Sequence, residues 1–205
     1  MNSERGTALQ EFLDTLKIAF SASIGKEPEV SNFLTRLFAE LKKPDLSGAG
    51  VSAYLPVCNH LPTAFQLARS ASPELSALAF ALEKIAPSLV WKVRSSGGPN
   101  ASENWPEGHA NAMIVGQGGL EERSDIAIGA SLLAPHVRYP DHTHAPEEIY
   151  LVLTPGRFQH GDSDWFEPGP GGTLHNEPNI KHAMASDEEP LLAIWCLMLQ
   201  EQNKV

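Results

Sequence analysis

The segment Tyr139-Pro-Asp-His-Thr-His-Ala-Pro-Glu-Glu-Ile-Tyr150 constrains this chain more than any other. His142 and His144 are two residues apart, so on an extended backbone they share a face. Glu148 and Tyr150 have the same parity. Ile149, Leu151 and Leu153 have the opposite parity and can pack into the sheet. The stretch therefore carries apolar side chains on one side and imidazoles, a carboxylate and a phenol on the other. Burying the polar side is costly unless its groups find partners, and a bound metal ion supplies them.

A second cluster lies downstream. Pro168-Gly-Pro-Gly-Gly172 spells a tight turn, Thr173–Asn176 a strand, and Ile180-Lys-His182 returns a further histidine to the interior as another ligand. Imidazoles with a carboxylate suit one borderline divalent ion such as Zn, Fe(II), Mn, Ni or Co. An open coordination position would let a substrate bind there directly.

The rest of the chain indicates what carries these clusters. Leu9, Phe12, Leu13, Leu16 and Phe20 recur at helical spacing, as do Val30, Phe33, Leu34, Leu37, Phe38 and Leu41, with Pro28 placed to open the second helix. Further helices are expected over about Thr63–Arg69 and Pro73–Ile85. After Pro87 the pattern changes to short β-type runs between Gly and Pro: Leu89–Val93, Met113–Val115, Ile126–Leu133, Glu148–Leu153, Arg157–Gln159, Asp164–Glu167, Gly172–His175 and Leu191–Leu199. Many short strands with such turns make a sandwich or a closed barrel. The expectation is mainly β with α: a helical region over residues 1–88 packed on a β-barrel over residues 89–205, as one cooperative unit.

Charge and composition narrow the function. With 42% hydrophobic and 20% charged residues among 205, the chain has the makeup of a globular protein. A net charge of -10 disfavours nucleic acid and anionic membranes as partners. No apolar run approaches the roughly 20 residues that span a bilayer. The N-terminus lacks the pattern of a signal peptide, and Cys58 and Cys196 read as reduced, packed thiols, so a cytoplasmic location is expected. The expected partner is a small molecule; monomer and homodimer both stay open.

The two clusters resemble the two cupin motifs: H-x-H followed four residues later by Glu148, with Gly156 beyond, and then a PG turn followed by His182. The resemblance covers roughly Ile126–Leu199 and implies a small jelly-roll barrel, the cupin fold, with one metal site in its mouth. A narrower resemblance is to the cupin-type dimethylsulfoniopropionate (DMSP) lyases. It is carried by Y-P-x-H-x-H-x-P-x-E-x-Y from Tyr139 to Tyr150, by His175-Asn176, by His182-Ala-Met184 and by Pro190–Trp195. That family cleaves DMSP to dimethyl sulfide and acrylate. Carried over by position, the resemblance makes His144, Glu148 and His182 metal ligands, with His142 a fourth ligand or a support for the others. Tyr150 becomes the catalytic base of a β-elimination, and Tyr139 a substrate-binding residue.

Two other classes compete: a metal-dependent cupin dioxygenase or isomerase, and a non-catalytic cupin that binds a small ligand. For the sulfonium of DMSP, Tyr139, Trp105, Trp165, Phe158, Phe166 and Trp195 are candidate aromatic walls. His60, His109, His136 and His160 read as surface or loop residues, His175 as a support for the ligands, and Glu147 as solvent-facing.

Overall fold

The computed structural model describes residues 5–23, 28–45, 48 and 51–199. The helical half begins with α1 (Thr7–Ser23) and α2 (Pro28–Glu40), which bury the side chains expected from their spacing: Leu9, Phe12, Leu13, Leu16 and Phe20 on α1, and Val30, Phe33, Leu34 and Leu37 on α2. A 3-10 turn at Pro56–His60 leads into α3 (Leu61–Ala71), and α4 spans Pro73–Ile85. The start of α4 is set chemically. Pro73 occupies its first turn, and the Ser72 hydroxyl accepts a hydrogen bond from the Leu75 amide at 3.2 Å.

The β half comprises β1 (Trp91–Lys92), the short helix α5 (Trp105–Gly108), β2 (His109–Val115), β3 (Ile126–Leu133), β4 (Glu147–Val152), β5 (Arg157–His160), β6 (Thr173–Asn176), β7 (His182–Ala185) and β8 (Leu191–Met198). These form a six-stranded sheet in the order β1-β2-β3-β8-β4-β6 and a two-stranded sheet β5-β7, with every pairing antiparallel. This is the two-sheet barrel expected, preceded by helices. Two strands differ from expectation. β7 was not anticipated, being four residues long. Asp164–Glu167 makes no ladder: it touches β5 through one bridge, Phe158 to Phe166, while the Trp165 ring lies beside the guanidinium groups of Arg138 and Arg157.

Alternation across the large sheet separates two cores. Ala110, Ala112, Ile114, Ile128, Ala130, Leu132, Ile149, Leu151, Leu192, Ile194 and Cys196 join the buried side chains of the helices in one cluster. Leu133, Val137, Tyr139, Tyr150, Val152, Phe158, Leu174, Met184, Leu191 and Ala193 fill the barrel instead. The helices thus cover the outer face of the sheet, and the inner face is free to build a site. A buried ionic cluster ties the two halves. Arg5 pairs with Glu121 at 2.5 Å and donates to the Leu41 carbonyl, while Arg123 pairs with Asp125 at 2.6 Å and donates to the Lys43 carbonyl.

The turn before β6 needs glycine. Gly169 and Gly171 have φ of +72° and +85°, and the Gly172 amide closes the turn on the Gly169 carbonyl at 2.9 Å. Gly129 on β3 is required for a different reason. It pairs with Trp195, and a Cβ there would lie 2.1 Å from the indole and 2.5 Å from the Ala112 carbonyl oxygen. The indole can shift but the carbonyl belongs to the neighbouring strand. Gly129→Ala is therefore expected to destabilise the fold by about 1–3 kcal/mol, read from chemical denaturation.

Candidate metal centre

β4 projects Glu148, Tyr150 and Val152 into the barrel, and Glu147, Ile149 and Leu151 toward the helices. The histidines reach the same place differently from the continuous strand expected. β4 begins only at Glu147, after Pro146, which has no amide hydrogen for a ladder. His142 lies in an isolated bridge with His182, with amide-to-carbonyl hydrogen bonds of 3.1 and 3.0 Å between them, and His144 lies in the connecting loop. Even so, ring nitrogens of His142, His144 and His182 lie within 4.8 Å of one another. These three residues can hold a metal ion.

Each ring is oriented in the same way. His142 Nδ1 is 2.9 Å from the Pro140 carbonyl, His144 Nδ1 is 2.9 Å from the Pro146 carbonyl, and His182 Nδ1 is 3.0 Å from the Ile180 carbonyl. A carbonyl only accepts, so each Nδ1 carries a hydrogen and donates it. In the neutral ring the lone pair is then on Nε2, the tautomer a metal needs. Burial, helped by the His182 charge, pulls the His142 pKa down to about 4, so this ring is neutral near pH 7.

Glu148 lies beneath them, 3% exposed. Its Oε2 is 3.1 Å from His144 Nε2 and 3.2 Å from His182 Nε2, and it accepts a hydrogen bond from Asn176 Nδ2 at 3.0 Å. Burial alone would raise this carboxyl. The imidazoles and their charge overcome that and hold it down at about 2. The same carboxylate raises His144, outweighing the opposite pull of burial. The His182 contact is outside hydrogen-bond geometry, so the buried Nε2 has no hydrogen-bond partner among the described residues. A lone pair facing a carboxylate oxygen at this distance needs a positive charge between them. Donor atoms bound to one ion at about 2.0–2.2 Å lie about 3–3.5 Å apart, and the two contacts of Glu148 Oε2 with His144 and His182 have that spacing. The donor set therefore fits a divalent ion.

Tyr150 is buried within the barrel, its ring 5.7 Å from that of Phe158 and 6.5 Å from that of His182. Burial and then the Glu148 charge push its phenol well above the ordinary tyrosine range. Tyr139 also adjoins the cluster, with its ring 5.2 Å from that of His142. Its hydroxyl accepts from Asn111 Nδ2 at 3.0 Å, and Asn111 Oδ1 accepts from Ser131 Oγ at 2.6 Å. Burial raises this phenol too, but Asn111 and Arg94 pull against it.

Several other expectations change. His109 is not a surface residue: it is fully buried, because its Nδ1 meets the Trp105 carbonyl at 2.6 Å and its Nε2 accepts the Arg94 amide at 2.8 Å. Glu147 does point away from the metal cluster, but it bridges Arg36 at 2.6 Å and His175 at 2.9 Å and is only half-buried. His175 is thereby turned away from the ligands, and its neighbour Asn176 supports Glu148. Of the aromatic candidates, Trp105 is stacked on His109 and Trp165 lies between two arginines, whereas Phe158 adjoins Tyr150 and Trp195 pairs across from it. Asn111, Asn176 and Arg94 had not been singled out. Asn176 was recognisable only as part of the His175-Asn176 pair, with no parity to orient it.

The family model for dimethylsulfoniopropionate lyase matches residues 30–193. The chain belongs to this family. It is 25% identical over 149 residues to DddL of Cereibacter sphaeroides, a proposed dimethylsulfoniopropionate lyase; the match covers 72% of this chain and 61% of that protein's length. A chain from the crystal structures of the DMSP lyases RdDddP and RnDddQII superposes with a TM-score of 0.74 at 22% identity, covering 97% of this chain and 95% of that one. The DMSP lyase DddQ of Ruegeria pomeroyi superposes with a TM-score of 0.72 at 17% identity, covering 97% and 94%. The fold shared with these two structures thus includes both the helices and the barrel. Among the described residues no helix is long and apolar enough to cross a membrane.

Asn176 tests the support of the carboxylate. Asn176→Ala should weaken Zn(II) binding about 10–100-fold, measured by competition with a chromogenic chelator, with the thermal transition little changed.

Proposed function

We propose that this chain is a metal-dependent carbon–sulfur lyase that cleaves DMSP to dimethyl sulfide and acrylate by β-elimination. The observation that carries the reading is the ligand cluster itself. Three histidines orient their Nε2 atoms alike, two of them on the buried Glu148 carboxylate, with two tyrosines alongside, in a member of the DMSP lyase family.

In this reading His142, His144, Glu148 and His182 hold one divalent ion, of the group Zn, Fe(II), Mn, Ni and Co. When bound, such an ion withdraws charge from a substrate carboxylate and acidifies the protons on the adjacent carbon. The chain's own groups do the rest. Tyr150 takes a proton from that carbon; the electrons form the double bond, and neutral dimethyl sulfide leaves with the pair from the carbon–sulfur bond. Burial, and then the Glu148 charge, keep the enclosed Tyr150 hydroxyl protonated. Positive charge at the ligand cluster offsets that carboxylate and draws the phenol toward a usable range. Tyr139 binds substrate beside the cluster, its hydroxyl fixed by Asn111. Phe158 and Trp195 offer aromatic faces to the sulfonium. The helices leave the inner face uncovered for this work, consistent with a division of the chain into residues 1–88 and 89–205; residues 1–4 and 200–205 lie outside those described. A small-molecule substrate requires neither a nucleic acid nor a membrane partner.

Purified protein loaded with each of these ions in turn should release dimethyl sulfide and acrylate in equal amounts from DMSP, measured in the headspace and in solution. No product with any ion would sink the proposal, and oxygen uptake with other small substrates would then favour a dioxygenase. Tyr150→Phe should lower kcat by at least about 100-fold with the metal content intact. Loss of kcat at unchanged KM in Tyr139→Phe, with Tyr150→Phe active, would move the base to Tyr139.

A further inference from the structure

Arg94 follows β1 in the chain and reaches the inner side of the barrel. Its guanidinium carbon lies 6.0 Å from the centre of the Tyr139 ring, and that ring lies 5.2 Å from the His142 ring. The segment is firmly held. The Arg94 amide donates to His109 Nε2 at 2.8 Å, and the buried His109 ring is fixed in that tautomer by the Trp105 carbonyl and stacked on Trp105 at 4.3 Å. The side chain is itself oriented by a 3.3 Å hydrogen bond from its Nε to Ser96 Oγ.

The guanidinium has no carboxylate partner among the described residues. Arg5, Arg36, Arg69, Arg123, Arg138 and Arg157 all pair with an acid. A half-buried guanidinium without a counter-ion, beside the tyrosine ring that packs on His142, is a receptor for an anion. Its planar set of N–H donors matches a carboxylate in particular. It also repels a cation, so a zwitterion would enter with its carboxylate toward Arg94 and its sulfonium away from it.

We propose that Arg94 is a substrate-positioning residue that pairs with the carboxylate of a small acid bound beside Tyr139, at the edge of the histidine cluster. For DMSP this rests on the lyase reading above; for a simple carboxylate it does not. Arg94 thereby selects for a carboxylate end and sets the direction in which the substrate lies. Removing a charge-assisted hydrogen bond of this kind weakens binding by about tenfold or more.

The test compares wild-type, Arg94→Gln and Arg94→Lys proteins, each loaded with Zn(II). Propionate and its neutral analogue propionamide serve as probes in ligand-observed NMR titrations. Arg94→Gln should lose about tenfold or more in propionate affinity, Arg94→Lys should recover part of it, and propionamide should bind all three alike. With DMSP, KM should rise in Arg94→Gln by a similar factor while kcat changes by less than about threefold. Equal propionate affinity in wild-type and Arg94→Gln proteins would overturn the assignment. So would loss of zinc or of the thermal transition in both variants, since Arg94 would then serve the fold. If wild-type protein makes no dimethyl sulfide yet the propionate difference is found, the lyase reading falls and the carboxylate site stands.

Discussion

A carboxylate almost wholly removed from water is the constraint on which the interior of this barrel depends. Glu148 is 3% exposed, and an isolated charge in that position would cost several kcal/mol. The structure surrounds it with two imidazoles and an amide donor, drawn from three separate segments. Each compensating group is in turn constrained. Asn176 comes from β6, whose register against β4 is fixed by the glycine turn before it. His182 comes from β7, whose backbone bridges to His142. Once Glu148 is inside, little freedom remains in how those strands can be arranged around it.

The other face of the same strand explains the helices. Ile149 and Leu151 are the immediate neighbours of Glu148 and Tyr150, and they need an apolar cover as much as the carboxylate needs donors. The helical half supplies it, burying α1, α2, α3 and α4 against the outer face of the large sheet. One six-residue strand thus belongs to two cores of opposite character. The buried Arg5–Glu121 and Arg123–Asp125 pairs fix the position of the helices on the barrel at the side of the sheet where β2 leads toward β3.

Much of this was legible in the sequence because it follows from local periods. The helix faces repeat at three and four residues, and the two faces of β4 alternate strictly. The candidate ligands His142, His144 and His182 were visible from spacing and turn residues. The unread parts depend on register between segments far apart. Asn176 meets Glu148 across 28 residues, Asn111 meets Tyr139 across 28, and the Arg94 amide meets His109 across 15. Nothing local distinguishes Asn176 from a polar strand end, or His109 from a surface histidine, until the ladder is formed. His142 and His144 also meet Glu148 through a loop interrupted by Pro146, so parity arrived at the right face by a path that was not a strand.

The three orienting contacts of the histidines have one more property. Each ring is held by a peptide oxygen two positions away: Pro140 for His142, Pro146 for His144, Ile180 for His182. No side-chain replacement can delete a peptide oxygen. Mutational drift can therefore erase a ligand outright, but it cannot easily leave a ligand in place with its proton on the wrong nitrogen. The wiring of the cluster is inherited with the path of the main chain, and descendants of such a chain can exchange most of their barrel while keeping the centre ready to coordinate.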